Sequence, residues 1–525
     1  MTMHVAVRVL ADPHDGMPGQ KPIACDVMRA LGALGVPRGH FSDGSLFVRS
    51  PIDGSRIGKL HYADFARVDQ MLHRAQEAAS AWSAVSPARR GEFVRRIGDQ
   101  LRKVHEPLAQ LVTLETGKTL EDSRREASFA NTCCDRAFAV ARDIGQSVLR
   151  TDRDGLWLHE TWRALGVTGC ISPFSRPLSQ FAGMCFVSLV CGNAVVWKPS
   201  ERAPLSALAL QTLIVNVARE MGDVPEGLVG IVFGGPDVGK TVAEDHRLRF
   251  LDAATSISAG RLINTKIAQS FMRGALSLGG SNAAIVCASA DVAAAVNAVV
   301  ASITQSSGQH AMCTRRVFVH HDIYDLFVDK LSKVFARLPV GDPRAPGVMM
   351  GPLIDRHAYE KMQRVLLAAR STGAKVRGGA RIDLAEHPGG YYIRPVIVEQ
   401  PSQDDTMLRE HQAPIVFVTP YTELREALAM DAASEAGMAS AIFTRNMTEV
   451  DEFVRLTNSG MLNINALHAG YEMGIAPAGA RASNGGRLPS TTSWKVFMQR
   501  CILTMNMSNR PTTPDTLGMM ERGEI

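Results

Sequence analysis

Apolar residues recur at helical spacing from Asp64 to Trp82, at Phe65, Val68, Met71, Leu72, Ala75, Ala78, Ala79 and Trp82, which predicts an amphipathic helix. A second such run extends from Ala88 to Glu115 and stops at Thr116-Gly117-Lys118, with glycine at the C-cap. A third passes through Ala127 to Ala141. It leads to Arg150-Thr151-Asp152-Arg153-Asp154-Gly155, whose Asp-Gly suits a hairpin turn between two strand-like runs.

From Gly166 the pattern alternates. Strand-like Val167 to Ser172, Ala194 to Lys198 and Leu228 to Phe233 are separated by helix-like Leu178 to Leu189 and Pro204 to Met221, and Val238 to Glu244 follows. This alternation predicts an α/β fold with a parallel sheet and crossover helices. A second alternating region begins near Gly274, with strands around Ala283 to Cys287, Val317 to His320, Ile415 to Tyr421, Ser440 to Phe443 and Gly460 to Asn463. Helices are expected between them at Asp291 to Thr304, Asp322 to Leu338, Ala358 to Thr372 and Leu424 to Asp431.

These patterns divide the chain. Residues 1–60 read as an irregular Gly/Pro-rich opening, with turn signals at Pro13-His14-Asp15-Gly16 and Pro51-Ile52-Asp53-Gly54. Residues 61–147 and 166–273 form a first domain, and 274–484 a second. Residues 148–165 and 485–508 make a projecting hairpin and a C-terminal strand, which could pair with each other, across subunits as one option. Residues 509–525 read as a weakly structured tail.

A length of 525 residues exceeds what one core usually supports, and 46% hydrophobic with 21% charged residues describes an ordinary globular chain. A net charge of +5 without a basic block argues against a nucleic-acid surface. The longest apolar run, Phe181 to Trp197, is broken by Ser188, Gly192 and Asn193, so no membrane span is expected. Nine cysteines lack metal-type spacing and the N-terminus lacks a signal pattern, so reduced thiols in the cytoplasm are the expectation.

Three stretches carry candidate chemistry. Gly308-Gln309-His310-Ala311-Met312-Cys313 is a glycine turn that delivers Cys313 between a helix and a strand, a fair way to present a thiolate; the bland alternative is a small half-buried core cysteine. Lys198-Pro199-Ser200-Glu201 puts a cation and a carboxylate at a strand end, where parallel sheets bind ligands, and the pair can grip vicinal ribose hydroxyls. Gly234-Gly235-Pro236-Asp237-Val238-Gly239-Lys240-Thr241 matches the phosphate-loop pattern, with Asp252 as the one nearby Mg²⁺ candidate, so a nucleotide hydrolase is a minor reading. His310, His320, His321 and His411 lack metal-type company, and no metal site is expected.

Taken together, the stretches resemble the aldehyde dehydrogenase superfamily, and its aminoadipate-semialdehyde group in particular, over about Leu31 to Ser508. The resemblance rests on the order and spacing of Leu165-Gly166-Val167, Trp197-Lys198-Pro199-Ser200-Glu201, Gly234-Gly235, Leu278-Gly279-Gly280-Ser281-Asn282, Gly308-Gln309, Arg315-Arg316, Gly351-Pro352-Leu353-Ile354, Glu410 with Ala413-Pro414-Ile415, Gly485-Gly486-Arg487 and Trp494-Lys495. It implies a Rossmann-type dinucleotide-binding domain, an α/β catalytic domain and a β oligomerisation arm. It further implies NAD or NADP as cofactor, an aldehyde or semialdehyde substrate, and a homodimer or homotetramer.

The resemblance also implies a cysteine nucleophile, an oxyanion-holding Asn and a water-activating Glu. The sequence departs from all three. Ser175 stands in place of the Asn, Ser277 in place of the Glu, and a gapless count from Gly308-Gln309 puts Ala311 in place of the Cys. Cys313 comes two residues late, about 7 Å of extended chain. The cofactor positions look half kept: Lys198, Ser200, Glu201, Gly234, Gly235, Ser256 and Glu410 remain, whereas Thr255 replaces a Gly and Gln412 an aromatic. The expectation is a pseudoenzyme on a dehydrogenase scaffold; the alternative is an oxidoreductase with altered chemistry that uses Cys313.

Overall fold

A computed structural model of the chain describes residues 23–149, 151, 155–466, 479–486, 494–508 and 516–523. The expected Pro13–Gly16 turn, Arg150 and Asp152–Asp154 of the hairpin turn, and Arg487 lie outside the described residues.

The helices form where the sequence offers caps. Asp64 accepts a hydrogen bond from the Arg67 amide (2.8 Å) and starts Phe65–Ser83. The expected long helix over Ala88–Glu115 is two helices, Pro87–Lys103 and His105–Thr116, parted at Val104 (φ −108°, ψ 20°). The cause is Pro107, which lacks an amide hydrogen and fits only a first turn. From Ile23 onwards the opening is also more regular than its composition suggests. Ile23–Ala33 is a helix with Ile23, Val27, Ala30 and Leu31 buried, and Leu46–Arg49 pairs with Arg56–Leu60 around the expected turn at Pro51–Gly54.

The first sheet contains β1 (Val167–Ile171), β2 (Ala194–Lys198), β3 (Val229–Ile231), β4 (Leu248–Thr255) and β5 (Arg273–Leu278), all parallel, in the order β3-β2-β1-β4-β5. Around it lie α1 (Leu120–Asp143), α2 (Ser179–Val190), α3 (Pro204–Met221), α4 (Pro236–Glu244) and α5 (Ile257–Gln269). Every residue of β1 and β2 is buried, as a sheet covered on both faces requires. The boundary expected at 273/274 falls inside β5: Gly274 reads as a break, yet its strand pairs with β4 along Phe250↔Arg273 to Thr255↔Leu278.

The second sheet contains β6 (Asn282–Val286), β7 (Thr314–His320), β8 (Lys375–Gly378), β9 (Val396–Glu399), β10 (Ile415–Tyr421), β11 (Ala439–Phe443) and β12 (Met461–Ile464), in the order β8-β9-β10-β7-β6-β11-β12. Only the β8–β9 pair is antiparallel. Alternate residues of β6 enter opposite cores, Ala283 and Ile285 on one side and Ala284 and Val286 on the other. The helix α6 (Val292–Thr304) leads from β6 towards the Gly308 turn.

The C-terminal strand Met498–Asn506 pairs antiparallel with Leu156–Ala164 of the same chain, from Met498↔Ala164 to Asn506↔Leu156, so the pairing across subunits considered from sequence is replaced by an internal one. Arg500 and Glu160 add an ion pair at 2.6 Å. Part of the tail expected to be weakly structured is helical, over Thr516–Glu521. No helix among the described residues is long and apolar enough to cross a membrane.

Candidate functional site

At the carboxyl end of β2, the Lys198 ammonium lies 3.3 Å from the Glu201 carboxylate. Burial lowers the Lys198 pKa, while Glu201 and Asp237 pull it back up. Ser200 accepts from the Arg202 amide (3.3 Å) and shapes the turn into α3. Gly235 is the residue before α4, and its amide donates to the Tyr62 hydroxyl (2.8 Å), which in turn donates to Asp237. A side chain on Gly234 would overlap Val238, so glycine is needed there for close packing. Tyr62 and Asp237 join Lys198 and Glu201 in one cluster, and nothing local in the sequence announced Tyr62.

The phosphate-loop reading of Gly234–Thr241 is corrected by this geometry. A phosphate cradle needs a loop before the helix, with the lysine at the helix start. Here α4 begins at Pro236, Lys240 is exposed along it, and the Thr241 hydroxyl bonds back to the Asp237 carbonyl (3.1 Å). Asp252 is likewise no Mg²⁺ ligand: it is buried, accepts from Gln180 (2.9 Å), and its pKa is raised to about 7 by burial.

At the end of β4, Ser256 caps α5 by accepting from the Ala259 amide (3.3 Å). Next to it, Ser277 pairs with Ala254 and is half-buried at the end of β5. Just beyond, the half-buried Glu410 lays its carboxylate on Gly279, so closely that a Cβ there would overlap it. Glu410 accepts a weak bond from Gln412 (3.4 Å), and desolvation raises its pKa against the pull of Arg315. His411 is a packing residue: it contacts the Thr406 carbonyl (2.6 Å), and burial lowers its pKa to about 4.

The turn after α6 is held by many bonds. Ser306 (φ 46°), Ser307 (φ 56°) and Gly308 (φ 72°) are three consecutive left-handed residues. Gly308 is required, because a Cβ would lie 2.6 Å from the backbone of Ala413 and Pro414. Gln309 donates to the Ser306 carbonyl (2.9 Å) and accepts from the Ile354 amide (2.9 Å). Arg315 ties the carbonyls of Ala413 (2.8 Å) and His310 (3.0 Å), and Arg316 ties that of Ser281 (2.9 Å). Asn282 donates to the carbonyls of Ala311 (2.8 Å) and Cys313 (3.0 Å).

This turn leaves Ala311 partly open and closes Cys313, which is 0% exposed. The Cys313 amide bonds to the His310 carbonyl (3.1 Å), the Thr314 amide to the Ser302 hydroxyl (2.8 Å), and the thiol faces the Gln305 carbonyl (3.6 Å). Burial pushes the thiol pKa up, and the carboxylates of Asp122 and Glu410 add to this against Arg315. The surroundings thus oppose thiolate formation. Ser175 is buried on the turn between β1 and α2.

Behind this turn lies a buried charge network absent from the sequence reading. Lys118 pairs with Glu126, whose carboxylate also accepts from the amides of Leu178 (3.0 Å) and Ser179 (3.1 Å) at the start of α2. Asp122 accepts from the Ser306 amide (3.4 Å) and so links α1 to the turn. Among the described residues, one group has metal-type spacing: His320, His321 and Asp322, within 4.8 Å of one another. It sits at the opposite end of β7 from the turn, about 20 Å away at strand rise.

The carboxyl ends of β2 and β4 offer groups suited to a ribose and phosphates. Lys198 and Glu201 stand together at a strand end, and the amide end of α5 lies two strands away.

The comparisons with known proteins agree with the fold. Aldehyde dehydrogenase family 7 member A1 of Pisum sativum is 31% identical over 459 residues, covering 87% of this chain and 90% of that protein. The alpha-aminoadipic semialdehyde dehydrogenase of Bos taurus is 31% identical over 461 residues, covering 87% and 85%. A crystal structure of a putative aldehyde dehydrogenase from Burkholderia cenocepacia superposes with a TM-score of 0.83 at 30% identity, over 89% of this chain and 95% of that one. PnpE in complex with nicotinamide adenine dinucleotide superposes with a TM-score of 0.83 at 29% identity, over 90% and 96%. With the sequence profile described as "Aldehyde dehydrogenase family" matching residues 41–502, the chain belongs to that family.

Proposed function

We propose that this chain is a pseudoenzyme of its family, a dehydrogenase scaffold that keeps a nucleotide shelf and has lost aldehyde oxidation through a covalent thioester. The observation that carries this reading is the placement of residues 311 and 313. Ala311 has the partly open position in a turn pinned by Asn282, Gln309 and Arg315, while the one nearby thiol points to the Gln305 carbonyl. Removing a covalent nucleophile costs several orders of magnitude in rate, and Ser277 offers no carboxylate to activate water.

For Cys313 to act instead, the turn from Gln305 to Met312 has to re-form, releasing the bonds that hold it. The shelf residues are Lys198, Ser200, Glu201, Gly234, Gly235 and Ser256, with the Glu410 carboxylate lying beyond them against Gly279, and the ligand is of the NAD or NADP class. Cytoplasmic residence accords with nine free cysteines. A homodimer or homotetramer accords with β12 and Met498–Asn506, which are edge strands among the described residues.

The test is to incubate the full-length protein with simple aldehydes and amino-acid semialdehydes plus NAD⁺ or NADP⁺, and to follow absorbance of the reduced nicotinamide. No turnover above the uncatalysed rate is expected. Turnover of about one per second or faster, the ordinary range for enzymes, overturns the reading, and its loss in Cys313→Ala would assign it to the displaced thiol.

A further inference from the structure

We infer that the nucleotide site takes an adenosine 5′-diphosphate ligand without a nicotinamide, of the ADP-ribose class, in preference to using the whole dinucleotide. The inference rests on the nucleotide-shelf reading above and narrows it.

The strand order carries the first step. A ligand gripped by Lys198 and Glu201 at the end of β2 crosses β1 to reach the end of β4, where Ser256 opens α5. Those two strand spacings amount to about 10 Å, the reach of a ribose and its two phosphates. A nicotinamide mononucleotide half has to continue one strand further, to the end of β5, where Leu278 gives way to Gly279 and Gly280.

The two ends differ in what they offer. On the β2 side, Glu201, Tyr62 and Asp237 reach solvent and the Lys198 ammonium is directed at Glu201, so a ribose diol can donate to the carboxylate and accept from the ammonium. On the β5 side, the space above Gly279 is filled by the Glu410 carboxylate, which lies where even a methyl group would overlap it. The neighbouring positions add no aromatic surface for a ring to lie on: residue 411 is a histidine turned to the Thr406 carbonyl, and residue 412 a glutamine bonded to Glu410. The nicotinamide half of a dinucleotide therefore does not fit the residues present.

Isothermal titration of the full-length protein with AMP, ADP-ribose, NAD⁺ and NADP⁺ tests this. The expected result is ADP-ribose binding with a Kd equal to or below that of NAD⁺, both weakened at least tenfold in Lys198→Ala. In Glu410→Ala, the affinity ratio of NAD⁺ to ADP-ribose rises at least fivefold as the space above Gly279 opens. If NAD⁺ binds the unaltered protein ten times more tightly than ADP-ribose, the inference is overturned while the shelf reading stands. If none of the four ligands binds at millimolar concentration, both are overturned.

Discussion

The side-chain amide of Asn282 donates a hydrogen bond to the backbone carbonyl of Ala311 at 2.8 Å. The same amide nitrogen reaches the Cys313 carbonyl at 3.0 Å, and the Asn282 oxygen accepts from the Ala439 amide at 3.2 Å. One buried side chain thus joins β6, the turn and β11. The backbone at residues 311 and 313 is held by this one side chain. Asn282→Ala leaves the carbonyls of Ala311 and Cys313 and the amide of Ala439 without this partner and is expected to destabilise the fold by about 2–4 kcal/mol. Thermal unfolding followed by circular dichroism reads this directly.

Accessibility of residues 311 and 313 leads to a labelling prediction. In the native protein Cys313 should resist alkylation by iodoacetamide over hours at pH 7.5, because it is closed and burial raises its pKa. In Ala311→Cys the new thiol should be modified within minutes. Peptide mass spectrometry separates the two sites, and rapid native labelling of Cys313 would show that the turn opens.

Gly308 supports a prediction about backbone fit. Gly308→Ala puts a methyl 2.6 Å from the Ala413–Pro414 backbone at a φ of 72°. Both the contact and the left-handed conformation oppose it, and a loss of about 2–4 kcal/mol is expected, read as a lowered denaturation midpoint. Gly486, also left-handed (φ 75°) but with open space around its Cβ position, should lose only about 1 kcal/mol as Gly486→Ala.

Asp252 gives the pH dependence its sign. Its folded pKa of about 7 lies above the usual carboxylate value, so between about pH 4 and 7 the folded state holds a proton that the unfolded state has released. Stability from this group is fully present below pH 4 and falls as the pH rises through 7. Asp252→Asn removes the titration, so its midpoint should gain on that of the unaltered protein from pH 4.5 to pH 8. The gain is expected to be on the order of a few kcal/mol, measured as urea midpoints at several pH values. A constant difference across that range would contradict the assignment.

Local pattern was sufficient for much of this molecule. The alternation of buried strands and capped helices from Gly166 onwards predicted both sheets, because a strand covered on two faces is apolar throughout and a surface helix is apolar on one side. The expected helix over Ala88–Glu115 ran through Pro107, although that residue can begin a helix but not continue one, and the structure breaks it at Val104. The substitutions at 175, 277 and 311 are what the resemblance implied, and for 311 alone the flanking Gly308-Gln309 and Arg315-Arg316 set the count.

What needed the tertiary structure was which groups meet. Gly274 looks like a break until β4 lies beside it. Tyr62 and Asp237 are 175 residues apart, yet they bond to each other at the start of one helix. Lys118 and Glu126 pair out of sight of solvent behind a turn that neither is near in sequence. Above all, which of residues 311 and 313 is left partly exposed depends on three left-handed residues and on bonds from Asn282, Gln309 and Arg315. Such partners come from distant segments, and no periodicity along one segment records which way the turn they hold will point.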